Sequence, residues 1–116
     1  MPELNIDAKV LDAQENAVYI KLTGFLDGHT SPRLKAVFEK LYSKESVKII
    51  VDMAGVSYIS STGIGTLMGA LNLSEKNKGV LKICSLPTKI LNIISMLGFD
   101  QVLPIHKTSE EAISLL

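Results

Sequence analysis

The sequence predicts an α/β fold: a mixed, mostly parallel sheet with an antiparallel first strand and about four helices. Two observations carry this. Apolar residues alternate with polar ones over Ile6–Leu11 and Val18–Thr23, the two-residue period of strands with one covered face. From Leu34 onward the period changes, and helical i, i+3, i+4, i+7 templates alternate with short apolar runs of strand length. The 116 residues are expected to form one domain, 1–116, large enough for a core and too small for two.

In the first strand Ile6, Ala8 and Val10 share one face against Asp7, Lys9 and Leu11; in the second, Val18, Ile20 and Leu22 oppose Tyr19, Lys21 and Thr23. The polar segment Asp12–Asn16 between them makes a hairpin turn, which sets the pair antiparallel. Leu34, Val37, Phe38 and Leu41 then line a helix face, with Thr30 or Ser31 available as cap and Pro32 in the first turn. Val47–Met53 is a mostly apolar, β-branched run, as expected for a strand covered on both faces at the centre of the sheet. A second helix carries Ile64, Leu67, Met68 and Leu71 and ends near Asn77–Gly79. Val80–Cys84 is the next strand, and Pro87 opens a third helix with Ile90, Ile93, Ile94 and Leu97, stopped at Gly98. Val102–Ile105 is a short last strand whose Pro104 argues for a sheet edge. Thr108 and Glu111 form a capping box for a last helix carrying Ala112, Leu115 and Leu116.

Helix-linked strands of one sheet run parallel with right-handed crossovers, and functional groups gather in the loops at their carboxyl ends. Phe25–Thr30 and Gly55–Thr62 both follow such strands and are expected at one end of the molecule.

Composition removes several functions. Twelve basic and twelve acidic side chains cancel, and no Lys/Arg run provides a nucleic-acid footprint. No apolar segment is long enough for membrane insertion, and Met1–Asp12 lacks the regions of a signal peptide, so a cytoplasmic location is expected. The single Cys84 lies in an apolar run and reads as a small buried hydrophobe. His29 and His106 lack metal-ligand spacing, and neither a metal nor a cofactor is expected.

The chemistry concentrates in Ser60, Ser61 and Thr62, at the start of the second helix. A helix N-terminus presents unpaired N–H groups and the positive end of the macrodipole, which favours phosphate there. Ser60 or Ser61 can serve as N-cap, which accounts for one hydroxyl but not three. Gly63 and Gly65 are unfavourable within a helix, which points either to tight packing on the sheet or to close approach of a partner. A P-loop would need a lysine that Gly63-Ile64-Gly65 does not supply, and a hydrolase elbow would need glycines flanking the serine. The cluster therefore reads as a place that receives a phosphate. Asp27 either contributes to an acidic rim or orients the Thr30 turn, and His29 lies in the adjacent loop.

Leu22-Thr23-Gly24-Phe25-Leu26-Asp27 with His29-Thr30, and Val51-Asp52-Met53 with Tyr58-Ile59-Ser60-Ser61-Thr62-Gly63-Ile64-Gly65, resemble the two signatures of STAS domains. The order of elements agrees over nearly the whole chain, which resembles a stand-alone bacterial anti-sigma factor antagonist. The resemblance implies a non-enzymatic protein that binds an anti-sigma factor serine kinase and frees a sigma factor. Phosphorylation, at the position matched by Ser61 rather than Thr62 or Ser60, switches binding off, and a PP2C-type phosphatase restores it. The partner surface implied comprises Phe25, Asp27, His29, Thr30, Ser60, Ser61, Thr62, Gly63 and Gly65. Two positions depart from the family pattern: Ser60 stands where an acidic residue is usual, and Phe25 where Glu is common. Phe25 is either an exposed partner contact or buried beneath a helix. The alternative function is a non-switched STAS subunit of a signalling assembly or a lipid-transport complex.

Overall fold

The computed structural model describes residues 3–12 and 14–116. Ala13, in the polar turn expected over Asp12–Asn16, lies outside the described residues, as do Met1 and Pro2. Strands β1 (Leu4–Leu11), β2 (Ala17–Leu26), β3 (Lys48–Ile59), β4 (Val80–Cys84) and β5 (Ile105–His106) form one sheet in the order β1-β2-β3-β4-β5. β1 is antiparallel to β2 and every other neighbouring pair is parallel. Helices α1 (Ser31–Leu41), α2 (Ser61–Lys76), α3 (Thr88–Met96) and α4 (Ser109–Ser114) connect or follow the strands. Among the described residues no helix is long and apolar enough to cross a membrane.

The central strand explains its own composition. Ile49, Val51 and Met53 belong to the main core, which also holds Leu34 and Phe38 of α1, Ile64 and Leu67 of α2, and Ile90 and Ile94 of α3. Ile50 faces the other way and packs with Cys84 and with Ala112 of α4. β3 is therefore covered on both faces, and its residues read as one apolar run. On the α4 side the Tyr19 hydroxyl donates to Asp52 Oδ2, and burial together with that carboxylate pushes the phenol pKa upward.

Three boundaries differ from expectation. β2 continues to Leu26 and β3 to Ile59, so much of what reads as loop is a two-stranded extension, with Phe25 paired to Tyr58 and Leu26 to Ile59. β3 reaches this length through two register shifts, after Asp52 and after Val56. Asp52 Oδ1 accepts the Ala54 N–H at 2.9 Å, tying down the first. The shifts space the buried residues Met53, Val56 and Ile59 three apart, which hides the strand period. At the other end, the strand expected over Val102–Ile105 is Ile105–His106, because left-handed Gly98 (φ 80°) leads into a 3-10 turn over Phe99–Gln101 and the Leu103 N–H returns to the Phe99 carbonyl. Its edge position holds.

Some expected core positions are on the surface. Val10 on the outer strand is 74% exposed, and Leu97 and Leu115, the C-cap residues of α3 and α4, are each 54% exposed. The α4 capping box is half formed: Thr108 accepts the Glu111 N–H at 3.1 Å, while the Glu111 carboxylate goes to His106 Nδ1 at 3.2 Å.

Candidate functional site

Parallel β2 and β3 end side by side, so the segments that follow them meet. The Ser60 N–H donates to the Leu26 carbonyl at 3.0 Å, and a Cβ built on Gly28 would lie 3.9 Å from Thr62 Oγ1. The expected juxtaposition of Phe25–Thr30 with Gly55–Thr62 is thus present.

Backbone conformation sorts the three hydroxyls. Ser60 is extended (φ −101°, ψ 171°), its Oγ accepts the Gly63 N–H at 3.1 Å, and its carbonyl accepts the Ile64 N–H at 3.0 Å. It is the N-cap. Ser61 and Thr62 are the first helical residues, both exposed, and their N–H groups have no intrahelical acceptor. The exposed Ser61 side chain thus stands at the positive end of a 16-residue helix.

The two glycines separate as well. A Cβ on Gly63 would lie 2.5 Å from the Leu26 carbonyl oxygen and 3.1 Å from Ile59 Cγ1, so Gly63 is where α2 packs onto the sheet. Gly65 is exposed, with nothing within 4 Å of a built Cβ, and Gly69, one turn on, is equally free. Gly69 is absent from the sequence-derived set, although its i+4 spacing from Gly65 is the available signal. Both glycines border a groove of about 650 Å³ between α1 and α2, floored in part by Phe38 and Ala70 and flanked by Pro32 and Lys35.

Asp27 serves the adjoining loop. Its Oδ1 accepts the N–H groups of His29 (2.9 Å) and Thr30 (3.0 Å). The Thr30 N–H, the largest influence, together with the His29 N–H holds the half-buried carboxyl below its ordinary pKa, against the opposing effect of burial. Thr30 occupies the α1 N-cap position, yet its hydroxyl makes no cap bond to the helix; it donates to the Phe25 carbonyl at 2.8 Å and accepts the Asp27 N–H at 3.0 Å. Thr30 is buried and Asp27 is engaged in the turn, whereas His29 is exposed. Phe25 is neither free nor beneath a helix: it is half-buried, with its ring centroid 5.4 Å from that of Tyr58, itself 41% exposed. Tyr58 completes an aromatic pair beside the hydroxyl cluster, and the sequence alone does not single it out because the register shift brings it opposite Phe25.

The family model of the STAS domain matches residues 8–112. The anti-sigma-B factor antagonist of Listeria monocytogenes is 24% identical over 108 residues, which are 93% of this chain and 95% of that protein. Among solved structures, an anti-sigma factor antagonist from Mycobacterium paratuberculosis is similar with a TM-score of 0.82 at 16% identity, over 97% of this chain and 92% of that one. The anti-sigma factor antagonist SpoIIAA in its unphosphorylated form gives 0.78 at 22% identity, over 95% and 94%. The phosphorylated form of Bacillus SpoIIAA gives 0.71 at 22% identity, over 95% and 97%. At these identities the structural likeness is one of fold.

Proposed function

The chain belongs to the STAS domain family, and from that premise we propose that it is an anti-sigma factor antagonist switched by phosphorylation of Ser61. Unmodified, it binds a serine-kinase anti-sigma factor and frees the sigma factor; phosphorylated, it does not bind until a PP2C-type phosphatase removes the group. The observation that carries this reading is the division of labour at α2: Ser60 is committed to the cap, which leaves Ser61 exposed in the first turn.

A phosphate adds about −1.5 to −2 charges at neutral pH. In the free domain the helix terminus stabilises that charge by about 0.3–2 kcal/mol, so the fold accommodates it. At a partner interface the same charge has to be desolvated, and unpaired it costs several kcal/mol. Since about 1.4 kcal/mol is tenfold in affinity, binding weakens roughly a hundredfold or more without refolding. The contact surface we assign is Ser61 and Thr62 with exposed His29 and Gly65 and the Phe25–Tyr58 pair. Asp27, Thr30, Ser60 and Gly63 hold that surface in shape.

Incubation with ATP and a serine-kinase anti-sigma factor, followed by mass mapping, tests this. Phosphate on Ser61 is the expected result, together with lost binding in Ser61→Asp and retained binding in Ser61→Ala. Full affinity of the Ser61-phosphorylated chain for the kinase would overturn the switch. The second reading, a non-switched subunit, draws on Ser60: a capping serine stands where a carboxylate would orient the Ser61 hydroxyl. Stable co-purification with an ATPase subunit and no modification would favour it.

A further inference from the structure

Strand β1 is the outer strand of the sheet, and among the described residues the hydrogen bond seen on its free edge is at one end. The Glu3 carbonyl accepts the Phe25 N–H from β2, whereas the Leu4 carbonyl points away and is taken by Arg33 Nη1 at 2.7 Å. By the alternation of an antiparallel ladder, odd-numbered residues of β1 direct their backbone groups to β2 and even-numbered ones direct theirs outward. Ile6, Ala8 and Val10 therefore present N–H and C=O groups along the open edge. Their side chains lie on the helix-covered face, where Ile6 packs on the core and Val10 is 74% exposed. An apolar recess of about 490 Å³, lined in part by Val18, Leu41 and Val47, adjoins Val10.

We propose that this edge pairs with the same edge of a second copy of the chain, antiparallel about a two-fold axis at Ala8, joining two five-stranded sheets into one. In that register Ala8 faces Ala8 and Ile6 faces Val10 of the other copy, and each pair exchanges both of its outward hydrogen bonds. Asp7 and Lys9, both exposed, fall at the intervening positions, where facing side chains are closest. Asp7 of each copy then faces Lys9 of the other, twice over. Slipping the axis to Asp7 would set Asp7 against Asp7 and would require the Leu4 carbonyl that Arg33 occupies. Slipping it to Lys9 would set Lys9 against Lys9. A shift of pairing by one residue would match outward groups with groups already bonded to β2. A lysine on an edge strand ordinarily discourages pairing. Here the aspartate two residues before it makes one register attractive and its neighbours repulsive, and the contact covers the exposed Val10 with Ile6.

Analytical ultracentrifugation of the full chain over a concentration series tests the proposal. The native chain is expected to dimerise, less strongly as salt is raised. Lys9→Asp and Asp7→Lys each oppose like charges at both positions and are expected to weaken dimerisation at least about tenfold. An equimolar mixture of the two variants is expected to form a heterodimer, and the double exchange D7K/K9D to restore the homodimer. Ala8→Pro removes the central donor from the outward edge without touching the β2 ladder, and is expected to abolish association. A native chain still monomeric at roughly 1 mM overturns the proposal. So does a dimer indifferent to Lys9→Asp and Ala8→Pro, or a mixture of the charge variants that fails to associate although both retain the native circular dichroism spectrum.

Discussion

At the scale of single residues, neighbouring side chains of like chemistry do different work because their backbone conformations differ. Ser60 is extended and turns its Oγ back to the Gly63 N–H, while Ser61, one residue later, is helical and projects outward. Ser60→Ala is expected to lower stability by about 1 kcal/mol, measured by urea denaturation, whereas Ser60→Asp keeps a capping oxygen and most of that stability. Asp27 provides the pH-dependent counterpart. Its folded pKa lies below the unfolded value of about 3.9, so its contribution is fully present above that value and is lost as pH falls through the folded pKa. Asp27→Ala is expected to be less stable than the native chain at pH 7 and to lose the difference below pH of about 4 in thermal melts followed across that range. Either Ser60 or Ser61 satisfies the sequence preference for a cap; the φ and ψ of the junction choose Ser60.

At the scale of elements, α2 divides its glycines between packing and access. Gly63 has no room for a methyl group, since the Leu26 carbonyl would lie 2.5 Å from it and backbone there has little freedom to move. Gly63→Ala is expected to destabilise the chain by about 1–3 kcal/mol. Gly65→Ala and Gly69→Ala meet no neighbour, and each is expected to stabilise by up to about 1 kcal/mol through helix propensity. Chemical denaturation of the three variants checks the sign. If the α1–α2 groove takes part in partner binding, Gly69→Ala will also weaken binding while strengthening the fold. Helix propensity penalises Gly63 and Gly65 alike, and the sequence assigns sheet packing less readily to Gly63 than to Gly65; the distances to β2 and β3 show the reverse.

At the scale of the molecule, the two faces of the sheet are sealed unequally: α1, α2 and α3 build the main core, and α4 covers a smaller cluster on the opposite side. Cys84 lies in that smaller cluster, fully buried, and burial pushes its thiol pKa upward. Its modification by a thiol reagent is expected to require opening of the molecule and to be slower than that of the unfolded chain by about 10³ or more, read from labelling rates with and without denaturant. Rapid labelling of the native chain would instead place α4 in a locally opening unit.

Local periodicity determined which elements exist and in what order, from the alternation of Ile6–Leu11 to the helical spacing of Ile90, Ile93 and Ile94. It also determined that hydroxyls cluster where a helix begins, because capping chemistry is written into adjacent residues. It did not carry the length of β3, since the shifts after Asp52 and Val56 break the two-residue period at the place where β2 and β3 run on together. It did not carry the roles of Gly63 and Gly65, the partner of Phe25 or the outward edge of β1. Each of these depends on atoms distant in the chain, the Leu26 carbonyl, the Tyr58 ring and the Arg33 guanidinium, whose positions only tertiary packing supplies.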